Sequence, residues 1–85
     1  MNNIKTRKYL GENIKYYRYK LNYSQEQLSE KCGFSNRYIS DLETCRANVK
    51  LDTLTKIAEV LKIETYKLLM PTDNLPPLPK RVNTK

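Results

Sequence analysis

Residues 24–43, SQEQLSEKCGFSNRYISDLE, decide the fold of this chain. Ser24 followed three residues on by Gln27 is a capping box. In it a hydroxyl accepts from a free backbone N–H in the first turn of a helix, and the glutamine amide answers the cap's own N–H. The spacing predicts a helix over about 25–32. Gly33 then supplies a residue free to adopt positive φ, which a helix end followed by an abrupt change of direction needs. Ser35 is the next cap, so a second helix is predicted over about 36–43. Leu28 and Cys32 share one face of the first helix, and Ile39 and Leu42 one face of the second. Phe34 plugs the angle between them, and the small Ser29 lets them approach closely. Asn36, Arg37, Ser40 and Asp41 are left pointing outward.

Upstream, Leu10, Ile14, Tyr17 and Leu21 recur at helical spacing and predict an amphipathic helix over about 4–21, behind a frayed end at residues 1–3. Its other faces carry Lys5, Arg7, Lys8, Lys15 and Lys20, which are expected in water. Arg18 stands apart, because it adjoins Tyr17 on the apolar side. Tyr9, Tyr16, Tyr17, Tyr19 and Tyr23 crowd the same region. They fit two readings: stacking on bases, or covering a small core while their hydroxyls stay wet. The second is favoured.

Downstream, residues 44–50 form a polar loop holding Arg46, Asn48 and Lys50. Leu51, Leu54, Ile57, Ala58 and Leu61 predict a further helix over about 51–61, and a short final helix over about 64–69 brings Leu68 and Leu69 under the bundle. Pro71 stops that helix, and Pro76, Pro77 and Pro79 favour extended chain. The expected division is a folded domain at 1–70 and a proline-rich, flexible tail at 71–85. Within that tail Leu75, Pro76, Pro77, Leu78 and Pro79 offer a segment that a protein partner can grip, against the plainer reading of a loose end.

Eighty-five residues with 39% hydrophobic content make one small domain, and its two glycines and lack of hairpin signals argue against a sheet. The net charge of +7 attracts polyanions, meaning DNA, RNA or an acidic membrane. Two cysteines without any histidine fall short of a structural zinc site, and nothing calls for another cofactor. Residues 1–21 are charged throughout, unlike a secretory signal, and no apolar run is long enough to span a bilayer. The expected setting is the cytoplasm, with both thiols reduced. No histidine, carboxylate pair or activated nucleophile is placed for catalysis, so an enzyme is not expected.

From about residue 10 to 69 the sequence resembles the lambda Cro and phage-repressor type of helix-turn-helix domain, the XRE family. The resemblance rests on Ile14, Arg18, SQEQL from Ser24, the turn Cys32-Gly33-Phe34-Ser35, YISDLE from Tyr38 and LDTLTKIAEVLKI from Leu51. It implies an all-α, compact five-helix bundle whose third helix enters the major groove, where the four base pairs show distinct donor and acceptor patterns. On that alignment Asn36, Arg37, Ser40 and Asp41 read bases, Asp41 having the alternative of orienting Arg37. Gln25, Tyr38, Arg46, Asn48 and Lys50 hold phosphates. Arg18 and Glu43 match an internal salt bridge.

This sequence departs from the family pattern at Cys45, where relatives commonly have glycine, and at Val49, where proline is frequent. The implied function is a sequence-specific regulator of transcription that binds double-stranded DNA. It is expected to be a repressor acting as a homodimer on a palindromic operator, paired near Val60, Tyr66 and Met70. The alternative is an antitoxin-like or other protein-binding module that also binds its own promoter, and a third reading is an RNA or single-strand binder.

Overall fold

The computed structural model describes residues 3–73 and 75–76, and the regular elements among them are all helical. They are α1 (Asn3–Lys20), α2 (Gln25–Cys32), α3 (Asn36–Glu43), α4 (Leu51–Leu61) and a 3-10 helix (Thr65–Leu69). Cap chemistry places α2 and α3. The Ser24 hydroxyl accepts from Gln27 N and the Gln27 side chain accepts from Ser24 N, closing the predicted capping box. Ser35 accepts from Tyr38 N at 3.0 Å.

All four α-helices end in the same Schellman arrangement, each with one residue in the left-handed region: Asn22, Gly33, Cys45 and Lys62. In each, that residue's N–H returns to the carbonyl three positions back and the next N–H to the carbonyl five back, as in Asn22 N to Tyr19 O (2.9 Å) and Tyr23 N to Arg18 O (3.0 Å). The residues that follow three of these bends, Tyr23, Phe34 and Ile63, fold back onto the core. Three of the four bends therefore carry a side chain where glycine is easiest.

The core is built from Leu10 and Ile14 of α1, Leu28 and Cys32 of α2, Ile39 and Leu42 of α3, Leu54, Ile57, Ala58 and Leu61 of α4, and Leu68. Burial pushes the Cys32 thiol pKa up, outweighing the opposite pull of Lys56. The other glycine serves a different purpose. A Cβ on Gly11 would lie 2.6 Å from the carbonyl oxygen of Leu42 and 2.9 Å from that of Glu43, so α1 crosses the end of α3 in backbone contact.

Several expectations change. The fifth helix is a single 3-10 segment, not an α-helix, and the described residues form four α-helices. The six residues between an uncapped Glu64 and Pro71 are too few to nucleate an α-helix. The segment is held instead by Leu68, fully buried, and by the buried Asn13, whose amide donates to Leu68 O (3.0 Å) and Met70 O (2.8 Å). Leu69 is 40% exposed, because side chains one residue apart on a 3-10 helix point about 120° from each other. Leu51 begins α4 and is 78% exposed. On α1 the buried tyrosine is Tyr16, and Tyr17 is half-buried beside it in an edge-to-face pair at 5.1 Å. Asn3, expected in the frayed end, begins α1.

After the 3-10 helix the chain returns along α1, where the Thr72 hydroxyl donates to Glu12 and Leu75 is half-buried. Of the candidate partner-binding tail, Pro77, Leu78 and Pro79 lie outside the described residues.

Two substitutions test this architecture by chemical denaturation. Gly11→Ala gains the helix preference of alanine, about 0.5–1 kcal/mol, but drives a methyl into rigid backbone and should cost about 1–3 kcal/mol net. Cys45→Gly should raise stability by about 0.5–1 kcal/mol, the relief of a left-handed side chain less the added freedom of the unfolded chain.

Candidate nucleic-acid interface

Arg18 and Glu43 meet in the interior as a two-pronged pair, Arg18 Nε to Glu43 Oε2 at 2.6 Å and Nη2 to Oε1 at 2.9 Å. Their side chains are 5% and 4% exposed. Arg18 Nη1 donates to the carbonyl of Tyr23 at 2.9 Å, and Gln25 Nε2 donates to Glu43 Oε1 at 3.0 Å. Four segments are thereby tied at one point: α1, the α1–α2 bend, the start of α2 and the last residue of α3. Removing either charge strands the other in a dry site.

The far end of α3 is open. Asn36 and Arg37 stand in its first turn, both exposed, and the Arg37 side chain is 87% exposed. Arg37 Nε lies 3.5 Å from Asp41 Oδ2, one turn on, so Asp41 takes up the orienting contact that its position allows. Ser40 is half-buried, with its carbonyl accepting the Thr44 hydroxyl at 2.9 Å. The two residues that open α3 therefore have the freest reach, while Ser40 and Asp41 sit closer to the body.

Beyond α3 the chain crosses to α4 through residues 44–50, where Arg46, Asn48 and Lys50 are all exposed. The left-handed Cys45 aims this loop. Cys45 N bonds Leu42 O at 3.2 Å and Arg46 N bonds Asp41 O at 2.8 Å, so cysteine makes a left-handed turn that glycine would adopt more easily. Tyr38 is half-buried, packs edge-to-face on Phe34 at 5.6 Å and donates its hydroxyl to Asn48 O at 3.3 Å. It braces the loop against α3.

Arg7 completes the brace. Expected in water, it is half-buried and donates Nη2 to the Asn48 side-chain oxygen. No local pattern points to it, because its partner is 41 residues away. Gln25, at the start of α2, is half-buried, with its amide bonded to Glu43. The capping box spends Gln27 N, and the first backbone N–H groups of α2 have no partner within the helix. Gly11 and Asn13 also escape the periodic signal, although a glycine inside a helical pattern is itself a cue to close packing.

Two short capped helices joined by a left-handed glycine, with a braced basic loop after the second and a buried ion pair anchoring it, make a helix-turn-helix. The family profile described as helix-turn-helix matches residues 14–68, and the chain belongs to that family, of XRE type, whose members are DNA-binding transcription regulators.

The chain is 36% identical over 62 residues to a hypothetical transcription factor of Neisseria meningitidis, and the match takes in 73% of this chain and 58% of the relative. It spans less than two thirds of that protein's length. The crystal structure of the Neisseria factor NHTF superposes with a TM-score of 0.77 at 32% identity, covering 84% of this chain and 82% of the other. Control protein C.SmaI of Serratia marcescens is 43% identical over 60 residues, 71% of each chain. SinR, described as the master regulator for biofilm formation and solved in complex with DNA, superposes with a TM-score of 0.68 at 34% identity, over 72% of this chain and 98% of that one.

The buried pair is open to a double-mutant cycle. Arg18→Met alone, leaving Glu43 buried and unpaired, should cost about 3–5 kcal/mol. In the double variant Arg18→Met/Glu43→Leu much of that loss should return. Denaturation midpoints that add simply would show that the two charges do not depend on each other.

Proposed function

We propose that this protein is a sequence-specific, double-stranded DNA-binding repressor of transcription that acts as a homodimer on a roughly palindromic operator. The observation that carries the reading is the open first turn of α3, with Asn36 and the 87% exposed Arg37 ahead of an otherwise anchored helix. Arg37 pairs with the O6 and N7 of guanine, and Asn36 with the N6 and N7 of adenine. Asp41 holds the guanidinium ready, and Ser40 touches whatever passes one turn further along.

Arg46, Asn48 and Lys50 grip the backbone on one side of the reading helix. Gln25 and the free N–H groups at the start of α2 grip it on the other. Tyr38 contributes by holding the loop. The SinR structure, in which a relative of the same fold is in complex with DNA, supports DNA as the ligand.

Pairing follows from reach. An eight-residue α3 spans only a few base pairs, so operator-level specificity needs two copies, with half-sites about one helical turn apart. Tyr66 (62% exposed), Leu69 and Met70 give the 3-10 helix an apolar face suited to that contact. A bound dimer of this size represses by standing where polymerase must bind. None of the described helices is long and apolar enough to cross a membrane, which suits a cytoplasmic site of action.

Selection of bound duplexes from a random pool should return a two-fold symmetric motif, and a pool without enrichment would refute the proposal. Arg37→Ala should then relax preference at one base pair per half-site, at a cost of about 1–3 kcal/mol. Arg46→Ala or Lys50→Ala should instead weaken binding to every duplex and lower the salt slope by about one charge each.

A further inference from the structure

Away from α3, a cleft of about 250 Å³ lies between the C-terminal ends of α1 and α4 and the 3-10 helix. Tyr17, Leu21, Leu61 and Ile63 form its floor, and Lys20, Lys62 and Lys67 its rim. None of the three lysines pairs with a carboxylate among the described residues. A second hollow of about 330 Å³ shares Tyr17 and Lys67 with it and is likewise lined by no acidic residue. An apolar floor inside an unneutralised basic rim is an arrangement that attracts, and the charge states which partner it fits.

We propose that this cleft docks an acidic, amphipathic peptide segment of another protein, seating an aliphatic or aromatic side chain on Leu21, Leu61 and Ile63 while carboxylates meet Lys20, Lys62 and Lys67. The chain's own segment beyond the described residues is a poor occupant, since residues 77–85, PLPKRVNTK, carry two lysines and an arginine and no acid. A second copy brings a net charge of +7 and so no excess of acid to meet the three lysines, and the pairing of copies proposed above uses the apolar face of the 3-10 helix instead. Nucleic acid fits less well: Lys20 lies 5.7 Å from the Tyr17 ring centre and Tyr16 packs edge-to-face on it, leaving Tyr17 little free face on which a base could stack.

The occupant and DNA do not compete, because no residue of α2, α3 or the loop between α3 and α4 lines the cleft. The occupant leaves most of the apolar face suited to dimer contact uncovered. On a 3-10 helix Tyr66 and Leu69 share one side, and Lys67 lies about 120° round from them, on the side of Met70.

The test uses the full chain and a short fluorescein-labelled helical peptide with leucines on one face flanked by glutamates, with a control carrying lysine for every glutamate. The glutamate peptide should bind and shift the amide resonances of Tyr17, Leu21 and Ile63, and the lysine control should bind at least about tenfold more weakly. The double variant Lys62→Asn/Lys67→Glu should lower affinity for the glutamate peptide by about tenfold or more. Asparagine is chosen for its ease in the left-handed backbone of Lys62, and an unchanged thermal midpoint confirms that the variant is folded. Affinity for a selected duplex should be unaltered, and the peptide should add to the duplex complex without displacing it.

No binding of the glutamate peptide, or equal binding by the folded variant, would overturn the proposal. So would displacement of the peptide by duplex, or a single-stranded oligonucleotide that binds with the same lysine dependence. A chain that binds the peptide but selects no duplex would leave this docking site standing and remove the proposed operator binding instead.

Discussion

Everything that α3 presents depends on the buried contact between Arg18 and Glu43. Two opposite charges with about 5% of their side-chain surface exposed give up hydration, and only close, multiple hydrogen bonds return it. Here the geometry is met: Glu43 accepts from two nitrogens of Arg18 and one of Gln25, and Arg18 also donates to the Tyr23 carbonyl. Apolar residues of similar volume would stabilise the fold at least as well. What they would lack is direction. A bidentate pair fixes distance and angle together, so the last residue of α3 is oriented against α1 and α2, whereas a purely apolar contact between the same helices tolerates sliding. Gln25 brings the start of α2, a proposed phosphate site, into the same frame.

Backbone contact completes that frame. Gly11 lets α1 approach the carbonyls of Leu42 and Glu43, beside the buried pair, and the Schellman bends set the directions in which the helices hand over to one another. With one glycine spent at this crossing and one at Gly33, the bends at Asn22, Cys45 and Lys62 are made by residues with side chains. Each stores about 1–2 kcal/mol of local strain, least for asparagine. The packing of Tyr23 and Ile63 onto the core outweighs it at two of the three. At Cys45 the following residue is the exposed Arg46, and the loop relies on the bonds to Leu42 and Asp41 and on the hold that Tyr38 and Arg7 keep on Asn48.

The parts of the fold legible in the sequence are those whose cause is local. Ser24, Gln27, Gly33 and Ser35 act within a few residues of themselves, and α2 begins and ends, and α3 begins, where those residues place them. Periodicity located α1 and α4 equally well, yet it could not tell Tyr16 from Tyr17 or see that Leu51 and Leu69 face outward, because neighbouring residues on a helix edge are assigned to core or solvent by what packs against them. The final 3-10 helix depends on Asn13, more than fifty residues earlier, which no window of local sequence includes. Arg7 was legible only as a charge. Its contact with Asn48 joins elements 41 residues apart, and a flexible cation gives no sequence cue to the partner it reaches.

The proposed base-reading pair illustrates how such a frame serves recognition. Arg37 is nearly free in solvent, and a side chain of that length loses considerable rotamer freedom when it docks on a base edge. Asp41 reduces that loss by restricting the guanidinium to its own side of α3 beforehand, although an exposed pair of this kind adds little to stability. The same carboxylate repels phosphate, so it favours poses in which Arg37 has reached the base and stands between the two negative groups. In the proposed complex, Asp41 would then act against misdocked poses as well as for the correct one. That division only works if α3 does not tilt, and it is Glu43, two residues further along the same helix, that keeps it from doing so.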